Sequence, residues 1–154
     1  MKSRPILQKE EIDAVIDGCQ VCHVSMVNPE EGPYVLPFNF GYNDSRLFIH
    51  SGPEGKKIRI WERDSRVCVA FSTGYEMRIQ NPEVACSYSM RYRSVLLYGR
   101  VKQIAERGEK EQVLNIIMEK YTGRRNFTYS LPALDNVKVF EIDIERVEGR
   151  AYGY

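Results

Sequence analysis

Long apolar runs are missing from this chain of 154 residues. No stretch approaches the roughly 18 consecutive apolar residues of a membrane-spanning helix, so no membrane partner is expected. A dominant charge is missing too: 22 Lys and Arg against 21 Asp and Glu leave a formal net charge of +1. Such a balance sets up no broad field toward nucleic acid or anionic lipid, and any anion must be gripped locally. Histidine is scarce, with only His23 and His50, and the cysteines are Cys19, Cys22, Cys68 and Cys86. Cys19-Gln20-Val21-Cys22 has the spacing of a redox pair or half a zinc site, yet no second pair follows, and no metal is expected. Small, buried apolar residues are the other reading of that pair. Met1-Lys2-Ser3-Arg4-Pro5 leads into no apolar signal core, so a cytoplasmic protein with reduced thiols is expected. Repeats and low-complexity tracts are lacking, and the length suits a single domain over residues 1–154.

What is present is mostly period-two patterning. The spacing of Ile12, Val15 and Ile16 predicts a helix over Gln8–Asp17, with Glu10 and Glu11 early and Gly18 closing it. Strands are predicted over Cys22–Val27, Tyr34–Tyr42 and Arg46–His50. In the middle one, Tyr34, Leu36, Phe38, Phe40 and Tyr42 form an aromatic core stripe. Val35, Pro37, Asn39 and Gly41 form a thin opposite face suited to a ligand. A short helix follows from about Gly55 to Arg63, with Ile58 and Trp61 on its buried side. Further strands are expected at Val67–Ser72 and Val84–Ser89, after a polar excursion through Gly74–Pro82, and a long one at Ser94–Ile104. In the long strand Val95, Leu97 and Val101 face one way and Leu96 and Tyr98 the other, which suggests a partner subunit outside. Glu109–Tyr121 is the clearest helix, ended by Thr122-Gly123. Phe140, Ile142 and Ile144 mark a closing strand. The pattern spells a mainly β (α+β) fold: an antiparallel barrel with helices plugging its ends.

Three stretches carry chemistry. His50-Ser51-Gly52-Pro53-Glu54-Gly55-Lys56-Lys57 joins a strand to a helix, where outward N–H groups, glycines and lysines make a phosphate cradle. A capping box at Ser51–Glu54 with two solvated lysines is the alternative. Pro37 cannot donate to a sheet ladder, so it marks a place where something other than a strand lies alongside. Asn39, facing the same way, suits the polar edge of a heteroaromatic ring, or else bonds its own backbone. Ser89-Met90-Arg91-Tyr92-Arg93-Ser94 offers planar donor forks, a stacking ring and hydroxyls, or else a charged edge with no ligand.

Taken in order, Tyr34–Tyr42, Leu47–Ser51, Gly55-Lys56-Lys57 and Arg91–Val95 resemble the FMN-binding split barrels related to pyridoxamine 5′-phosphate oxidase, and within them the 5-nitroimidazole-resistance branch. The resemblance runs from about Gly18 to Ile104. It implies a six-stranded antiparallel split β-barrel with flanking helices, forming a homodimer with FMN at each subunit interface. It implies phosphate held near His50, Ser51 and Lys57, with Lys56 the adjacent alternative. Pro37, Phe38 and Asn39 would lie along the isoalloxazine ring. Tyr92, Arg93 and Ser94 would reach the cofactor, from the partner subunit in one version. His50 matches the family's histidine near the flavin and is the candidate catalytic residue. The arginine-and-lysine phosphate strand of the true pyridoxamine phosphate oxidases is missing, which argues against that vitamin substrate.

The function so implied is an FMN-dependent oxidoreductase reducing a small aromatic acceptor such as a 5-nitroimidazole, with reduced nicotinamide or another donor upstream. Tyr121, Phe127 and Tyr129 are candidates for the substrate pocket or for core. A non-catalytic flavin- or haem-binding sensor or store is the alternative. Nucleic-acid binding through Arg91, Arg93, Arg124 and Arg125 is disfavoured by the missing basic excess.

Overall fold

The computed structural model describes residues 2–154. Two of the predicted helices form where their patterns place them. In α1 (Lys9–Asp17), Glu10 and Glu11 occupy the first turn, Val15 and Ile16 are buried, and Gly18 caps the end. Helix α3 (Arg107–Thr122) starts where the Glu106 carboxylate accepts from the Gly108 and Glu109 N–H groups, and ends at Gly123, left-handed at φ 74°. The third predicted helix also forms, as α2 (Lys56–Arg63) with Ile58 and Trp61 buried, and α4 (Leu131–Asn136) lies in the stretch read as a loop.

The strands are β1 (Ser3–Ile6), β2 (Cys22–Asn28), β3 (Gly32–Phe38), β4 (Phe40–Asn43), β5 (Arg46–Ser51), β6 (Arg66–Ile79), β7 (Tyr88–Ile104) and β8 (Lys138–Tyr152). They pair antiparallel in the order β3-β2-β6-β7-β8-β5-β4, with β1 added on β8. The ends of that path, β3 and β4, are consecutive in the chain and joined only by Asn39. Thus the single strand predicted over Tyr34–Tyr42 is two strands with a corner, and one residue of backbone closes the barrel. Eight strands replace the expected six.

The corner creates the split. Phe40 pairs with Ile49, but β3 then turns to β2, leaving its other edge free, while β5 continues along β8 to Ser51. Helix α2 plugs the gap. Its Trp61 ring lies 6.0 Å from Phe38 and 5.0 Å from Phe140, so one indole ties β3 to β8 across the opening. Tyr121 braces the corner: its hydroxyl accepts from the Phe40 N–H at 3.1 Å and donates to the Gln20 carbonyl at 2.7 Å. This residue belongs to the scaffold, not to a substrate pocket.

The period of two sorts side chains into two cores. Leu47, Ile49, Val95, Leu97, Phe140 and Ile142 fill the barrel, while Phe48, Ile104 and Val139 point outward beneath α3 and α4. Gly41 is buried because a Cβ there would stand 3.0 Å from both the Ile116 and Ile117 side chains. At that position the thin strand face admits a helix, not a ligand.

The largest departure from the sequence reading is at Gly74–Ser89. Instead of a polar excursion and a separate strand at Val84–Ser89, β6 runs on to Ile79 and β7 begins at Tyr88, with a 3₁₀ turn at Ala85–Ser87. The two strands stay in register to Ile79↔Tyr88, past a bulge between Thr73 and Glu76. They form a ribbon projecting beyond the barrel. One ribbon face carries Tyr75, Met77, Ile79, Tyr88 and Met90, all exposed; the other carries the Glu76–Arg91 ion pair.

Candidate functional site

The loop from β5 to α2 decides between cradle and capping box. Ser51 Oγ donates to the Gly52 carbonyl at 2.7 Å and caps nothing. The cap position falls to Gly55, at φ 126°, a conformation that glycine alone adopts freely. No side chain caps α2, and no acidic residue sits in its first turn. The first N–H groups of this helix therefore point outward without side-chain partners, the condition for anion binding.

The two lysines differ. Lys56 is drawn away into an ion pair with Glu31 and lies 4.7 Å from the centre of the Tyr34 ring. That contact latches α2 to the turn between β2 and β3 and removes Lys56 from the cradle. Lys57 makes no ion pair among the described residues, and a methyl group added at Gly55 would lie 3.9 Å from its Nζ. It is the lysine that stays with the loop.

Around the split, Pro37 and Asn39 are exposed on the outer side of the barrel. Because Phe40 pairs with Ile49, Asn39 falls next to His50, whose cross-strand partner is Val139. His50 shares the outward face with Phe48 and Val139. Its Nδ1 is buried without a hydrogen-bond partner, and burial lowers its pKa below the ordinary 6.5. Phe38 differs from its neighbours: its ring is in the core against Trp61, so only its backbone faces the gap. Asn39, His50, Ser51 and Lys57 thus fall at the corner, the end of β5 and the start of α2, with Pro37 two residues before the corner.

Tyr92, Arg93 and Ser94 do not join them. Arg93 pairs with Ala151 and Ile104 with Val139, the residue opposite His50. Eleven residues of β7 separate the two levels along the strand, and no described hydrogen bond or ion pair joins them. There Arg93 lies 3.6 Å from the centre of the Tyr154 ring and 3.4 Å from Glu11. Tyr92 stacks on Tyr75 with ring centres 6.0 Å apart and lies 5.7 Å from Tyr152. In the sequence Glu11 was singled out only as an early residue of the first helix, and Tyr75, Tyr152 and Tyr154 not at all. The signal for the last two was the chain's final Ala-Tyr-Gly-Tyr, continuing the alternation of β8. A cleft of about 280 Å³ lined by Glu11, Ala14, Val15, Thr73 and Arg93 opens beside this cluster.

The other sequence candidates resolve simply. Cys19 and Cys22 are buried free thiols, and burial pushes Cys22 up to about 12, which leaves it inert as a nucleophile. Among the described residues no cluster of His, Cys, Asp and Glu is placed to hold a metal. His23 is a strand residue on β2. Asn115 clasps Phe127 through both the N–H and the carbonyl of its backbone, at 3.0 and 3.1 Å, while Tyr129 packs under α4 with its hydroxyl unpartnered. No described helix is long and apolar enough to cross a membrane.

An antiparallel barrel opened along one seam, with a helix in the seam and a phosphate-type cradle at its start, defines the split β-barrels. Residues 8–151 match the pyridoxamine 5′-phosphate oxidase family, and the chain belongs to that family. It is similar to a candidate 5-nitroimidazole antibiotic resistance protein from Bacteroides thetaiotaomicron, at 39% identity over 97% of this chain and 87% of that one, with a TM-score of 0.86. A FAD- and haem-binding protein from Mycobacterium smegmatis shares the fold, at 17% identity over 97% of this chain and 74% of the other, TM-score 0.86. A flavocytochrome from Azotobacter vinelandii does so at 19% identity over 99% and 70%, TM-score 0.81. No curated protein sequence matches the chain.

Proposed function

We propose that this chain is an FMN-dependent oxidoreductase, working as a homodimer, that reduces a small flat aromatic acceptor such as a 5-nitroimidazole. The observation that carries the reading is the uncapped start of α2 beside Ser51 and Lys57, at the mouth of a split barrel. The nitroimidazole acceptor is drawn from the Bacteroides relative. Family membership supports a flavin, and the orphaned Nδ1 of His50 next to Asn39 fits the polar rim of its ring.

Bound FMN would supply two-electron redox chemistry, taking a hydride from a donor such as reduced nicotinamide and passing electrons to the acceptor. The chain's own residues bind and orient. Lys57, Ser51 and the α2 N–H groups hold the phosphate. Pro37 keeps the free edge of β3 from donating, so a flat ring lies along it. Asn39 offers a donor and an acceptor to that ring. His50, kept neutral by burial, accepts or donates one hydrogen bond without adding charge.

A second copy is part of this reading: no hydrogen bond or ion pair among the described residues joins Tyr92, Arg93 or Ser94 to Ser51 or Lys57, and in a dimer they would contact the cofactor held by the partner's α2. The outward face of β7 supports this pairing, since Tyr88, Met90, Tyr92, Leu96 and Tyr98 all alternate onto it and none is fully buried. Contiguous apolar surface of that kind marks an interface.

The test is the visible spectrum of the purified protein, with the released cofactor identified by mass spectrometry, followed by steady-state oxidation of NADH or NADPH with a nitroimidazole present. Bound FMN and acceptor-dependent turnover are expected. Bound flavin without turnover would make the protein a flavin store or sensor. A protein that refuses added FMN would overturn the proposal.

A further inference from the structure

The β5–β8 ladder places one more cation at the mouth of the barrel. Ser51 pairs directly with Lys138. Residues opposed across an antiparallel ladder project to the same face. That face also carries Ile49 and Phe140, 0% and 4% exposed, so it is the barrel interior, and Ser51 and Lys138 stand at its rim. A cleft of about 100 Å³ opens there, lined by Trp61, Gln103 and Lys138 among others. The Trp61 Nε1 in that wall is buried without an acceptor.

Charge sets Lys138 apart from its neighbours. On the same sheet Arg46 pairs with Glu141, Lys102 with Asp143 and Arg100 with Glu145. Lys138 is half-buried and makes no ion pair among the described residues. Glu62, on the exposed side of α2, is the one carboxylate in the cleft lining, and it is not within ion-pair distance of Lys138. A phosphate monoester carries about −1.5 to −2 at pH 7. With Lys56 held by Glu31, Lys57 alone leaves such a group half neutralised.

We infer that Lys138 is a further cofactor-binding residue, the second ammonium on the phosphate that Ser51 and Lys57 hold; this rests on the flavin reading above. The interaction is with the phosphate alone, so it distinguishes FMN from riboflavin, which has the same ring and no phosphate.

The experiment is fluorescence titration of the flavin-free full-length protein with FMN and, separately, with riboflavin, for the wild type, Lys138→Met, Lys138→Arg and Lys57→Ala. A charge-assisted contact of this kind predicts that Lys138→Met weakens FMN about tenfold or more, leaves riboflavin unchanged, and is largely rescued by Lys138→Arg. Equal weakening of both ligands would mean that Lys138 only supports the fold, and would overturn the inference. Unchanged FMN affinity in Lys138→Met, with a loss in Lys57→Ala, would overturn it while sparing the phosphate cradle. A wild type that binds FMN no better than riboflavin would remove the cradle and Lys138 together.

Discussion

The two ends of β7 invite comparison, because one strand with one alternation serves both. Beside Ile104 lies the mouth, whose groups are polar and under-partnered: bare N–H groups on α2, the half-buried Lys57 and Lys138, and the buried Nδ1 of His50. At the ribbon Arg91 is matched with Glu76 and Arg93 with Glu11. The exposed row beside them is apolar, with Tyr75, Met77 and Ile79 exposed by 61%, 54% and 51%. One end lacks an anion and the other lacks a cover. The difference teaches that the two ends call for different partners, a small anion at the mouth and an apolar surface at the ribbon.

The sharpest way to break this comparison is complementation. Lys57→Ala and Arg93→Ala homodimers should each bind FMN about 10- to 100-fold more weakly, a loss of ~1.4 to 2.8 kcal/mol. If the two ends serve one cofactor from different chains, a mixed dimer regains one site with both native residues. If each chain builds its own site, mixing restores nothing. Titration of the mixed sample with FMN decides between them, with Lys56→Ala as a control that should bind normally.

Next in size is Trp61→Ala. It removes the indole spanning Phe38 and Phe140 at the mouth and should cost about 3 to 5 kcal/mol in urea unfolding, as for other buried aromatic truncations. Ribbon substitutions such as Met77→Ser should leave monomer unfolding within about 0.5 kcal/mol and shift only the dimer dissociation constant. Equal stability losses at both sites would erase the distinction between scaffold and docking surface.

The smallest expected effect is pH dependence. His50 has a folded pKa below its ordinary 6.5. The unfolded chain therefore takes up a proton that the folded chain resists, so the contribution is complete above pH 6.5 and is lost as pH falls through that value. Melting temperatures measured from about pH 7.5 down to about 5.5 should decline in the wild type and decline less in His50→Asn.

Much of the mouth was legible in the sequence because its signals are local: a strand, a glycine-bearing loop, lysines and a helix, all within residues 46–63. Three things were not. The Asn39 corner leaves the alternation of Tyr34, Leu36, Phe38, Phe40 and Tyr42 intact, so periodicity cannot see it. The ribbon did carry period two in Tyr75, Met77, Ile79, Tyr88 and Met90, but Gly74 and Pro82 read as a loop, and an apolar row without a core behind it resembles no ordinary strand. Lys138 becomes visible only through its register with Ser51, a long-range fact. Phe38 shows the reverse error, since a residue inside the proposed ligand stretch packs its ring into the core against Trp61.

The β5–β8 ladder has a further consequence for how the molecule is made. It joins Leu47 to Ile142, residues 95 apart in the chain (142 − 47), and Ser51 to Lys138. During synthesis, β4 and β5 must wait with an open edge until β8 has left the ribosome. Pairings of such high contact order form late and slowly. The mouth is then among the last regions to be assembled, so a ligand bound there would report a completed barrel rather than nucleate its folding.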